Sequence, residues 1–508
     1  MHVLALLAAA VALLPLFGVV LAALGPTDAR FATGDLIRYA MTSAALLALV
    51  LPSVAILGTV AAWLVALYRF PGRGIFVWAL ALPLALPAFA LAYGYADLLD
   101  VGGPFRAWLR DSGLVWNGSV RTLWGAAAVL SLAFYPYVYL TVRASLASPA
   151  GRTIEAARLL GASPVRVATG VILPLLRPAI AAGVALAAME TLADYGAVQF
   201  MGGQTLTTGV VRAWFVLGSV ETAARLAIPL LALAAVLLWI ERQGRVGRYA
   251  ESARAQSRPV TPVRLRGPAA ALATLFCTAL VTLGLVLPLA WLAWAAIDIP
   301  PETGRLFRAA LNTAGIGLAG AVATLILAMA VALGAARIPV TARLASLGYA
   351  TPGAVMAIGL LVPASIVWTG LAGSTVAGLG LLVFAYAARL MAAALEPLDA
   401  GLQRVTPTML QAARALGQGE LGTATRVQIP MIAGTTLTAA LIVFVDILKE
   451  LPATLILRPF NFDTLAVMAD NYARDERLGN AGWPVLAIVA LTLPATWWLT
   501  ARVSRARG

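Results

Sequence analysis

The feature that most constrains this chain is a succession of apolar runs, most of them about twenty residues or longer, separated by short segments that carry the charge. About 20 helical residues cross the hydrocarbon core of a bilayer. Only a helix or a closed barrel satisfies the backbone there. Runs of this length therefore predict membrane-spanning helices. We place twelve, at 3–24, 39–68, 75–98, 122–147, 175–198, 225–240, 269–297, 309–336, 344–371, 376–395, 431–448 and 483–501. Charged residues make up only 11% of the chain, which excludes an ordinary soluble domain. The 3–24 run lacks a basic leader and reads as an uncleaved anchor. Pro83 and Pro87 predict a kink in the third span.

The second constraint is a duplication. Glu155-Ala156-Ala157, Gly161 and Leu173-Pro174 return as Gln411-Ala412-Ala413, Gly417 and Ile429-Pro430, always 256 residues later. A repeat without slippage implies two homologous halves. Its local chemistry predicts a helix-turn-helix. Ser148-Pro149 and Thr406-Pro407 offer an N-cap with proline at the first helical position. Gly161 and Gly417 close the first helix as C-terminal glycines. Ser163-Pro164 starts a second helix, and Pro174 is expected to bound it.

Net charge is +14, but the arginines crowd the connections between spans, where the positive-inside rule places them, so nucleic acid is not an expected partner. Arg242, Arg245, Arg248, Arg254, Arg258, Arg264 and Arg266 mark 241–268 as a basic linker between halves. With the basic tail Arg502, Arg505 and Arg507, they predict a cytoplasmic linker and cytoplasmic termini. One cysteine, Cys277, excludes an internal disulfide, and one histidine, His2, excludes a Cys/His metal site. The sole lysine, Lys449, precedes Glu450, so no Gly-Lys-Ser/Thr phosphate loop exists in this chain.

Two constellations remain. Glu190 and Asp194 lie four apart and map, at the same 256-residue offset, onto Asp446 and Glu450. Four-residue spacing predicts one helix face. Carboxylates inside a membrane face a cavity or a partner. They either line a translocation path, with Tyr195 beside them, or Asp194 and Glu450 sit late in their spans in wet interface while Glu190 and Asp446 are structural ion-pair members with Lys449 or Arg389. The stretches that follow carry Thr207, Thr208 and Trp214 in one half and Asn461, Asp463 and Thr464 in the other. Thr208 and Thr464 also differ by 256, which suggests a gapless alignment. These stretches read as interfacial anchors or as a docking surface for a soluble binding protein.

The repeated pattern resembles the EAA loop of permease subunits in ATP-binding-cassette importers, over almost the whole chain; Gln411 departs from the glutamate of that motif. The resemblance implies an all-α integral membrane protein of the type I importer fold, with about 12 transmembrane helices in two tandem six-helix halves, 1–240 and 269–508. It implies that loops 148–176 and 404–432 dock two copies of a cytoplasmic ATPase through Glu155, Ala156, Ala157, Gly161, Pro174, Gln411, Ala412, Ala413, Gly417 and Pro430. ATP and Mg are then used by those partners, and this chain binds no cofactor and catalyses nothing. A soluble binding protein delivers the cargo, and lipid of a bacterial inner membrane surrounds the multi-pass chain. Lys449-Glu450-Leu451-Pro452-Ala453-Thr454 through Leu465, with Glu190 to Gly196, resembles the fused ferric iron permeases; thiamine, phosphonate and polyamine permeases are related. The binding protein sets specificity in such systems, so no metal ligand is assigned here. The rival class is an ion-coupled secondary transporter, some of which also have parallel six-span repeats; the recurring helix-turn-helix argues against it. A membrane enzyme using serine or aspartate chemistry is a weaker third reading.

Overall fold

The computed structural model describes residues 2–26, 33–146, 160–161, 163–252, 262–335, 339–345, 347–367 and 374–505. The first half contains α1 (His2–Ala23), α2 (Thr33–Leu67), α3 (Arg73–Ala79), α4 (Ala88–Leu99), α5 (Leu123–Leu146), α6 (Leu173–Ala193), α7 (Gly196–Phe200), α8 (Leu206–Phe215) and α9 (Val220–Ser252). The second contains α10 (Gly267–Val281), α11 (Leu287–Ala296), α12 (Thr303–Ala335), α13 (Gly353–Val367), α14 (Thr375–Leu402), α15 (Pro407–Ala415), α16 (Ala433–Leu448), α17 (Pro452–Leu457), α18 (Leu465–Arg474) and α19 (Leu478–Arg505).

Among the described residues, nine helices are long and apolar enough to cross a membrane, and eleven spans result when two bent pairs are included. The bends have local causes. The third span breaks by 90° between 73–85 and 88–111. Pro87 forces Leu86 into an extended conformation (ψ 123°), so the helix must stop and restart. The eleventh turns by 76° at Ile432, two residues after Pro430. The run expected at 344–371 contains a shorter apolar helix, Gly353–Ser365, and residues 368–373 lie outside the described set.

The halves are interlocked. Helix α1 packs on α12 and α13 of the second half, while α10 and α11 pack on α2, α3 and α4 of the first. A Cβ at Gly18 would sit 1.8 Å from the Gly359 carbonyl oxygen, so the α1–α13 crossing brings backbone against backbone. Small residues permit such crossings where no water drives helices together. The described parts of the linker take regular structure: α9 runs on to Ser252, and Val263–Arg264 pairs as a parallel strand with Tyr68–Arg69.

Two expectations are corrected. Pro174 does not end a helix. A π-helical turn at Ala168–Ile172 leads directly into α6, and Pro174 sits in its first turn, where a missing N–H costs little. Nor is the Thr208–Thr464 alignment gapless. Thr205 precedes α8 as Thr464 precedes α18, and the left-handed residues Gly202 (φ 75°) and Asn461 (φ 65°) also correspond, both at an offset of 259. The second half carries three extra residues in this loop.

Candidate functional site: a cavity between the halves, its outer clasp and a coupling loop

The 404–432 loop is built as its sequence predicts. Thr406 accepts a hydrogen bond from the Met409 amide (3.4 Å) and Pro407 opens α15. The helix closes through Gly417 N–H to the Arg414 carbonyl (2.9 Å) and Gln418 N–H to the Ala413 carbonyl (3.1 Å), with Gly417 at φ 80°. That pair of bonds needs a left-handed residue, which glycine adopts most cheaply. Gly161 has φ 76° in the other copy. Glu155, Ala156 and Ala157 lie outside the described residues. Gln411 and Ala412 are exposed, whereas Ala413 packs inward, so only part of the motif faces outward. Sequence reasoning passed over the leucine before each glycine. Leu160 and Leu416 are 87% and 82% exposed, and their recurrence at the 256 offset was the available signal.

At the other end of α6 and α16 the four acids converge, but not on two helix faces. Helix α6 ends at Ala193, and Asp194 is already extended (ψ 126°). Its Oδ1 accepts from the Val198 amide (3.1 Å), capping α7. Glu450 follows α16 and does the same for α17: Oε1 accepts from Ala453 N–H and Oε2 from Thr454 N–H, both at 3.0 Å. The Thr454 hydroxyl adds a bond at 2.8 Å, and Arg389 Nη1 lies 3.4 Å from Oε1. Asp446 pairs with Lys449 at 3.0 Å, and Lys449 also reaches the Leu84 carbonyl of the first half (3.4 Å). Glu190 makes no hydrogen bond or ion pair among the described residues, though Arg389, Lys449 and Asp446 act on it through space.

These side chains line a cavity of about 90 Å³ on the boundary between the halves, walled also by Pro87, Phe134 and Tyr137. Four carboxylates face two cations there, Arg389 and Lys449, a formal balance of minus two. Tyr195 lines the cavity as expected but is itself buried.

Farther from the coupling loop, the halves are clasped. Arg121 grips Glu476 with two bonds, 2.6 and 2.8 Å, and its Nε lies 2.8 Å from Asp100 in ion-pair contact, not aligned as a hydrogen bond. Tyr93 donates to Asp470 (3.2 Å), which holds Arg474 (2.7 Å), and Arg474 donates to the Tyr195 hydroxyl. Glu476 has φ 57°, a conformation in which non-glycine residues are uncommon. A strained residue kept in a contact between halves points to a role for that contact.

The expected docking residues divide. Thr207, Thr208 and Thr464 are buried and turned inward: Thr207 donates to the Leu192 carbonyl, Thr208 to Thr205 (2.9 Å), and Thr464 accepts from Val467 N–H (3.4 Å). Thr208 and Thr464 shape helix starts, Thr207 ties α8 to the end of α6, and none of the three offers a surface. Trp214 is half-buried against the core, and Asp463 is tied to Arg458 and Arg305. Asn461 remains outside, beside Phe460, which is 96% exposed.

The sequence is similar to those of known proteins. Residues 16–243 match the family described as binding-protein-dependent transport system inner membrane component. The chain is 28% identical over 438 residues to an Fe(3+)-transport system permease protein, FbpB 2, of Haemophilus influenzae, covering 84% of this chain and 82% of that one. It is 33% identical over 221 residues to the molybdenum transport system permease protein ModB of Escherichia coli, covering 40% of this chain and 94% of that one. With the sulfate transport system permease protein CysT of Escherichia coli it shares 35% identity over 149 residues, about half of that protein's length.

Proposed function

We propose that this chain, which belongs to the family of inner membrane components of binding-protein-dependent transport systems, is the permease of an importer for ferric iron. It is a multi-pass permease of the ATP-binding-cassette class. The iron assignment rests on one observation above the others: the iron permease from Haemophilus aligns across both halves, whereas the molybdenum and sulfate permeases align with less than half of this chain. The cavity agrees. A net negative lining of carboxylate oxygens suits a hard cation and opposes an oxyanion such as sulfate or molybdate.

In this reading 148–176 and 404–432 face the cytoplasm and receive two ATPase subunits, which bind ATP and Mg. Leu160 and Leu416 offer each subunit an exposed apolar contact beside a rigid turn. The arginine-rich 241–268 segment supports the same orientation, with both termini inside. The Arg121–Glu476 clasp then lies on the outer face, where the binding protein arrives, and must part for cargo to enter. Asp194 and Glu450 hold the short helices α7 and α17 in place; Glu190 and Asp446 are the carboxylates that meet the cargo.

Deleting the gene should abolish binding-protein-dependent ferric uptake and leave sulfate, molybdate and thiamine uptake intact. Loss of one of those with normal iron uptake would reassign the cargo.

A further inference from the structure

Beside the clasp, a second cavity of about 370 Å³ opens, lined by the first half and by Arg474 of the second. It has room for about a dozen waters. Arg212 and Arg474 line it with Tyr39, Gln199 and Gln204, and no carboxylate does. The Arg212 side chain has no hydrogen bond or ion pair among the described residues. Arg474 is already committed to Asp470 and Tyr195, yet stays 46% exposed. At the mouth, Phe215 and Val216 are 53% and 66% exposed.

The other half shows what is missing. At the 259 offset, which holds from Gly202 onward, Gln204 corresponds to Asp463 and Arg212 to Asn471. There Asp463 binds Arg458 and lies 3.3 Å from Arg305, so the second half neutralises its arginines with its own carboxylate. The first half has glutamine at that position and leaves Arg212 facing open space.

We infer that this cavity receives a carboxylate side chain of the docked binding protein, an inference that rests on the importer reading. The exposed apolar rim gives a docked protein surface to bury, and the arginines supply charge-assisted bonds to one acidic side chain. A carboxylate reaching Arg474 competes with Asp470 and Tyr195. Docking is thereby linked to loosening of the contact between halves.

The test uses the full transporter, permease with its ATPase, in proteoliposomes. Binding protein is titrated and the half-saturating concentration for ATPase stimulation is read. Arg212→Glu should raise it about tenfold or more, an effect that shrinks at high salt. Arg212→Lys should stay near wild type, which separates charge from folding. Arg308→Glu, an exposed arginine on α12 outside the cavity, should change it by less than about twofold. Equal effects of Arg212→Glu and Arg308→Glu would overturn the inference. So would competition by millimolar inorganic phosphate in the wild type that is absent in Arg212→Glu with unaltered binding-protein dependence, since that marks a site for small anions. A wild-type transporter that the binding protein never stimulates would instead refute the importer reading beneath it.

Discussion

Replacing Glu450 by alanine separates structural from transporting carboxylates. The Glu450 side chain is 1% exposed and accepts bonds from two backbone amides and one hydroxyl. Alanine leaves the Ala453 and Thr454 amides without their acceptor at the start of α17. A buried unsatisfied donor costs about 1–3 kcal/mol, and loss of a capping side chain about 1. These are partly the same loss, so we expect about 2–4 kcal/mol. Glu190→Gln breaks no hydrogen bond and should cost less than about 1 kcal/mol. Cys277, the sole cysteine and fully buried, provides the assay: a thiol-reactive dye labels it only on unfolding. Heated in detergent, Glu450→Ala should become reactive several degrees below wild type. Glu190→Gln should unfold with wild type yet transport slowly. Wild-type unfolding of Glu450→Ala would show that the carboxylate does not hold α17, and the division of the four acids would fail.

Four further outcomes follow from the geometry. Gly417→Val should insert normally but lose most of its ATPase on co-purification: nothing lies within 4 Å of the added Cβ, so the penalty is a left-handed backbone, about 1–2 kcal/mol. Leu416→Ala should weaken the same association without touching the turn. Arg121→Gln and Glu476→Gln should each raise basal ATP hydrolysis, and the double variant should add little, as expected for two ends of one contact. Hydrogen bonding to Arg121 holds the Glu476 carboxyl below the usual glutamate range, so the clasp persists through neutral pH and is lost only as pH falls through that lowered value, read as basal hydrolysis unchanged between pH 6 and 8 within about twofold.

Local rules made the coupling loop legible. Thr406-Pro407 and Gly417 are a cap, a helix start and a left-handed stop, all set by residues close in sequence. The kink at Pro87 is equally local, although its size, 90°, depends on packing. The acids were legible only as a pair of pairs. Spacing placed Glu190 with Asp194, but whether a carboxylate turns to a cavity or folds back onto the next amides depends on where the helix stops. The threonines misled because a hydroxyl after a loop reads as an exposed polar group, while in this packing Thr208 and Thr464 complete buried helix starts and Thr207 ties α8 back to α6. The clasp was invisible: Arg121 and Glu476 lie 355 residues apart and meet only because the halves interlock.

The most direct test of the whole account is transport by defined components. The chain is reconstituted with its ATPase in proteoliposomes, and the cognate binding protein is supplied with radioactive ferric iron, sulfate or molybdate. We expect ATP-dependent accumulation of iron alone, abolished when the binding protein is omitted. Accumulation of an oxyanion in place of iron, or iron uptake that proceeds without ATP, would contradict it.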